Sequence, residues 1–120
     1  MTADPAALAA AQLAAYNAHD LDAFCACYAP DVRVLDATGA ETLRGMDAFR
    51  ARYAALFTGW DDVGATVAAR LVAPPHAIDD ETWWRARVST GERQGGRVLV
   101  RYTAGPAGIH TVQFFPAEAP

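Results

Sequence analysis

Apolar and polar positions recur with a helical period up to about residue 58, broken by a strand period between residues 31 and 44, and with a strand period beyond residue 62. Asp4-Pro5 supplies an N-cap and a proline at the first helical position, so an alanine-rich helix is predicted to about Ala18, with Leu8, Gln12 and Tyr16 along one side. Asp20 caps a second helix through about Ala29, on which Phe24, Cys27 and Tyr28 share a side; Pro30 enforces the stop. From Asp31 the period falls to two, with Val32, Val34 and Asp36 on one face and Arg33 and Leu35 on the other. A turn at Ala37-Thr38-Gly39 leads to a short strand at Glu41–Arg44, and Gly45 precedes a third helix over about Met46–Thr58. Met46, Phe49, Tyr53, Leu56 and Phe57 form the apolar stripe of that helix.

Four strands follow, at about Gly64–Ala73, Ala77–Thr90, Arg97–Ala104 and Gly108–Phe115, with turns at Pro74-Pro75, Glu92–Gly96 and Gly105-Pro106-Ala107. Helices followed by consecutive antiparallel strands predict an α+β fold, a curved sheet wrapped over the helices, in one domain spanning residues 1–120.

Composition narrows the chemistry. A net charge of −4 provides no basic field for nucleic acid, and an acidic surface is repelled by anionic membranes. All ten basic residues are arginine, which removes lysine Schiff bases and the P-loop lysine. The single serine, in Ser89-Thr90-Gly91, does not resemble a nucleophile elbow. Cys25 and Cys27 read as small buried apolar groups, since two positions apart on a helix they diverge too far for a disulfide or one metal. No apolar run resembles a signal peptide or a membrane span, so a cytoplasmic location is expected.

The segments Ala15-Tyr16-Asn17-Ala18-His19-Asp20-Leu21-Asp22-Ala23-Phe24 and Tyr28-Ala29-Pro30-Asp31-Val32 are similar to the opening of the nuclear transport factor 2-like superfamily. That superfamily includes ketosteroid isomerases and SnoaL-type polyketide cyclases. Arg44-Gly45-Met46-Asp47-Ala48-Phe49-Arg50 resembles its entry to the third helix, and Val100-Arg101-Tyr102 and Ile109 to Phe115 resemble its last two strands. The resemblance implies a cystatin-like α+β barrel, cone-shaped, with a mixed sheet wrapped around three helices, an enclosed pocket and a homodimer formed through the outer sheet face. The superfamily hosts enzymes and non-enzymes alike, so resemblance alone assigns no chemistry.

Three residues are candidates for catalysis. Asp36 shares parity with Val32 and Val34, and a carboxylate carried into an apolar pocket gains pKa and becomes a useful base. Asp36-Ala37-Thr38-Gly39 is also similar to the strand ending that carries the proton-shuttling aspartate of ketosteroid isomerases. The alternative is an aspartate that caps the strand-end turn. Asp80 alternates with Ile78, Thr82, Trp84, Ala86 and Val88, the face expected to point inward, unless the acidic run Asp79-Asp80-Glu81 is solvated or a bulge reverses the parity. His110 points inward with Val112 and Phe114 if the last strand keeps its register, as an acid or base or as a core histidine.

Gln12, Tyr16, Tyr53, Trp84, Tyr102 and Phe114 are candidate pocket walls, and Trp60 reads as a lid. Arg85, Arg87, Arg101 and Trp83 read as an outer, dimer-forming surface. No metal is expected, because His110, His19 and His76 fall on no recognisable ligand spacing, and no cofactor is expected. Gln12 and Val100 stand where the resemblance would place the two oxyanion donors of ketosteroid isomerases, so steroid isomerisation by that route is not expected. The expected partner is a small apolar or aromatic molecule. It would be processed by isomerisation, cyclisation or dehydration with Asp36 as base; the alternatives are non-catalytic ligand binding and a dimeric scaffold.

Overall fold

The computed structural model describes residues 3–117. Three helices, α1 (Pro5–Asn17), α2 (Leu21–Cys25) and α3 (Met46–Gly59), lie against six strands. The strands are β1 (Tyr28–Leu35), β2 (Glu41–Arg44), β3 (Asp62–Ala73), β4 (His76–Ala86), β5 (Arg93–Gly105) and β6 (Gly108–Ala117). The sheet runs β2-β1-β6-β5-β4-β3, parallel between β1 and β6 and antiparallel elsewhere. It curves over the helices without closing, which makes the fold an α+β, cystatin-like half-barrel rather than a sealed one. No described helix is long and apolar enough to cross a membrane.

Local chemistry sets the helix starts. The Asp4 carboxylate accepts from the amides of Ala6 and Ala7, and that of Asp20 from the amide of Ala23. Between α1 and α2, Asn17 clamps both the N–H and the C=O of Ala65, and His19 bonds the carbonyl of Val63, fixing α1 to edge strand β3. The second helix is shorter than its pattern predicts. It ends at Cys25, and the chain is already extended at Tyr28, running through Pro30. Proline is tolerated there because the β1–β6 register is irregular between Tyr28 and Arg33, where a ladder donor is dispensable.

Phe24, Phe49, Ile109, Val32 and Val100 are sealed in the core. Phe24 stacks on Phe49 at 5.7 Å and tilts against Tyr53 at 4.6 Å, joining α2 to α3. Gly108, at φ +120°, lets β6 start against β1: a Cβ would sit 2.8 Å from the carbonyl oxygen of Cys27. Cys25 and Cys27 are free and buried.

Candidate active site

A cavity of about 670 Å³ lies between the helices and the concave face of the sheet. Its buried end is built on Gln12 of α1. Tyr28 donates its hydroxyl to Gln12 Oε1 at 3.0 Å, and Gln12 Nε2 donates to Tyr102 Oη at 2.9 Å and to the carbonyl of Ala9 at 3.1 Å. One amide on α1 thereby ties β1 to β5, strands that are not neighbours in the sheet. Tyr16 and Tyr53 line the helical wall with rings 6.4 Å apart, and their hydroxyls have no hydrogen-bond partner among the described residues. Burial pushes the Tyr16 phenol up to about 12 and that of Tyr53 higher, so both stay protonated as donors.

The opposite wall is β4, and its inward face is not the one its apolar pattern predicts. Ala77, Asp79, Glu81, Trp83 and Arg85 face the helices, whereas Ile78, Asp80, Thr82 and Trp84 point out. The register with β5 sets this phase. Ala86 pairs with Arg93, so Glu81 lies opposite Val98 and Asp79 opposite Val100, and β5 turns those valines and Tyr102 inward. A turn placed at Glu92–Gly96 shifts the hairpin axis and inverts the parity, whereas the observed turn lies between Ala86 and Arg93.

Glu81 consequently lines the cavity. It has no ion pair and no hydrogen bond among the described residues. Removal from water, reinforced by the nearby Asp79 charge, pushes its carboxyl up to about 7. Asp79 is fully buried but compensated: Arg70 of β3 grips both its oxygens, at 2.6 and 3.0 Å. Two acids on one strand face thus differ in whether a cation reaches them.

Trp60, Arg85 and, from α3, Arg52 also line the cavity. Trp60 is buried beneath two guanidinium groups, with Arg87 at 3.7 Å and Arg85 at 4.7 Å from its ring. Arg87 is held by Glu92 and by the carbonyl of Gly59, and the Asp61 carboxylate receives the amide of Val88, anchoring the segment after α3 to the β4–β5 turn. Trp60 is a fixed part of the wall, not a free flap.

The three sequence candidates for catalysis stand elsewhere. β1 ends at Leu35, where the register with β2 shifts, so Asp36 leaves the strand before its parity can carry it inward. Its carboxylate accepts from the Thr38 hydroxyl at 2.6 Å and from the amides of Thr38 and Ala40, which hold its pKa below the usual range. It caps an exterior turn. Asp80 faces outward in a bidentate pair with Arg97 at 2.8 and 3.1 Å, which also lowers its pKa. His110 falls on the irregularity between β5 and β6, beside Gly105, and meets the Thr111 hydroxyl.

Among the wall candidates, Gln12, Tyr16, Tyr53, Trp60, Tyr102 and Phe114 line the cavity. Trp84 does not: its indole lies on the outer face over Gly64, where a Cβ would overlap the ring. Trp83 and Arg85, expected outside, line the cavity instead. Glu81, Tyr28, Arg52, Trp83 and Arg85 are among the lining residues that the sequence pattern does not reveal. The inward pattern Val98, Val100, Tyr102 on β5, paired through a correctly placed turn, is the signal that finds those on β4.

Comparison with known proteins agrees with this fold. Residues 9–114 match the family model described as a SnoaL-like domain. An uncharacterised cystatin-fold protein from Novosphingobium aromaticivorans superposes with a TM-score of 0.84 at 22% identity, covering 94% of this chain and 98% of its own. A protein with a ketosteroid isomerase-like fold from Catenulispora acidiphila, solved with trimethylamine, has a TM-score of 0.76 at 16% identity, covering 92% and 85%. TerC, co-crystallised with polyporic acid, has a TM-score of 0.76 at 12% identity, covering 94% and 91%. No curated protein sequence matches the chain.

Proposed function

The chain belongs to the SnoaL-like domain family, and from that premise we propose that its cavity binds a small, largely aromatic molecule and that Glu81 moves a proton on it. The observation that carries this reading is a desolvated carboxyl group without a cation, on the wall facing two unpartnered phenol hydroxyls. A base whose pKa lies near the working pH is suited to removing a proton alpha to a carbonyl. In that step the C–H electron pair becomes a C=C bond, the carbonyl π pair moves to oxygen, and Glu81 holds the proton. The hydroxyls of Tyr16 and Tyr53 donate to the oxygen as its charge develops. Return of the proton to another carbon gives isomerisation, and departure of a β-hydroxyl gives dehydration. Glu81 takes the part that the sequence reading gave to Asp36.

Small ligands in two proteins of this fold, trimethylamine and polyporic acid, support the binding half of the reading. The test is deuterium uptake at the acidic methylene of 2-tetralone, followed by NMR at pH 7. Acceleration above the buffer rate should fall on the order of a hundredfold in Glu81→Gln, with the ketone still bound. An equal rate in that variant would overturn the assignment.

The outer sheet face supports a second proposal, self-association. The Nε atom of Arg101 is buried there without a hydrogen-bond partner, beside half-exposed Leu99 on the same strand, and that of Arg33 makes no hydrogen bond and only a 3.4 Å ion pair with Glu41. A homodimer by sedimentation velocity, lost in Leu99→Glu, is expected; a monomer at all concentrations would refute it.

A further inference from the structure

We infer that the molecule taken up by this cavity is an aromatic anion, a carboxylate in the first instance, whose charged group seats on Arg85 and Arg52 while its enolisable end faces Glu81. The inference rests on the preceding reading of Glu81 and adds the substrate class. It comes from charge placement. The chain is acidic overall, yet two arginines that line the cavity, Arg52 on α3 and Arg85 on β4, have no carboxylate within ion-pair distance among the described residues. The third lining arginine, Arg97, is neutralised by Asp80 on the outer face.

Arg85 is prepared for a ligand. Its Nε and Nη2 both donate to the amide oxygen of Gln94, at 2.8 and 2.5 Å, so a neutral group holds it in place without cancelling its charge. Nη1 is left without a hydrogen bond among the described residues. The guanidinium lies 4.7 Å from the Trp60 ring and 5.5 Å from Trp83, aromatic surfaces that displace water from the cation and strengthen its attraction for an anion. A partly dehydrated arginine with a free edge in a cavity wall is suited to a carboxylate.

Register sets the length of the ligand. Arg85 and Glu81 share one face of β4, four residues apart, or about 13 Å along an extended strand. Side chains that reach toward each other shorten that span to one which two fused rings, with a carboxylate at one end and an acyl group at the other, can bridge. Trp83 lies between them on the same face and offers its ring to the aromatic body.

The test compares 6-acetyl-2-naphthoate with 2-acetylnaphthalene, which differ only in the carboxylate, by isothermal titration calorimetry on the full chain. The naphthoate is expected to bind roughly tenfold or more tightly at low ionic strength, with the advantage shrinking as salt is added. Arg85→Gln should abolish the preference, and Arg52→Gln should reduce it. If Arg85→Gln fails to fold, Arg52→Gln, at an exposed helical position, and the salt series decide. Equal or tighter binding of the neutral ketone, or an anion preference that survives both substitutions, overturns the inference. In the first of those cases, deuterium exchange of the bound ketone that requires Glu81 leaves the proton-transfer reading standing. If neither naphthalene binds and 2-tetralone undergoes no exchange, both readings fall together.

Discussion

Asp79 and Glu81 stand two residues apart on one face of β4, and the Arg70 guanidinium that closes on both oxygens of Asp79 leaves Glu81 without a cation. The same strand therefore holds one acid against a cation and leaves the next without one.

Glu81 makes stability depend on pH in an unusual direction for a carboxylate. Its folded pKa, about 7, lies above the unfolded value near 4.5, so the native state binds more protons between those limits. The contribution is fully present below pH 4.5 and is lost as pH rises through 7, with a slope of at most about 1.4 kcal/mol per pH unit from this group. Urea denaturation from pH 5 to 8 should show this component, and Glu81→Gln should remove it, gaining most at pH 8.

Arg70→Met should be strongly destabilising. It leaves Asp79 buried without its partner, a loss of about 3–5 kcal/mol. Chemical denaturation measures it, and Arg70→Met/Asp79→Leu should recover most of the loss by removing both charges.

Gln12→Leu leaves the hydroxyls of Tyr28 and Tyr102 unpaired at the buried end of the cavity. Each unsatisfied buried polar group costs about 1–3 kcal/mol, so a clear fall in the thermal midpoint is expected. Gln12→Glu is the informative companion, because it keeps an acceptor for Tyr28 and, when ionised, offers Tyr102 no donor.

Asp36→Ala should lower the thermal midpoint slightly, through the lost turn contacts, and leave the exchange rate within about twofold. A large loss of activity with the fold retained would restore Asp36 to the site and remove Glu81 from it.

Much of the architecture was legible because local rules decided it. The caps at Asp4 and Asp20, the break at Gly45 and the stripe through Phe49 and Tyr53 placed α1, the start of α2, and α3. The candidate site was legible on the helices, where Gln12, Tyr16 and Tyr53 follow from helical spacing alone. It was misread on the sheet for two reasons. The alternation that points Asp36 inward runs one residue past the end of β1, where the Asp36 carboxylate captures local amides instead. On β4 the apolar face is not the inward one: the concave side carries Asp79, Glu81 and Arg85 beside Trp83, and Arg70 compensates the buried Asp79. Alternation reports which face is greasier; only the register against β5 reports which face is inside.

The orientation of the Gln12 amide has one more effect. Because the Ala9 carbonyl can only accept, the nitrogen must face it, and the oxygen is thereby assigned to Tyr28. Hydrogens then run one way, from Tyr28 through Gln12 to Tyr102, whose own hydrogen finds no acceptor among the described residues. The deepest point of the hollow thus presents a guest with a donor, and the atom that settles there should be a lone-pair oxygen, such as that of a ketone, quinone or ether.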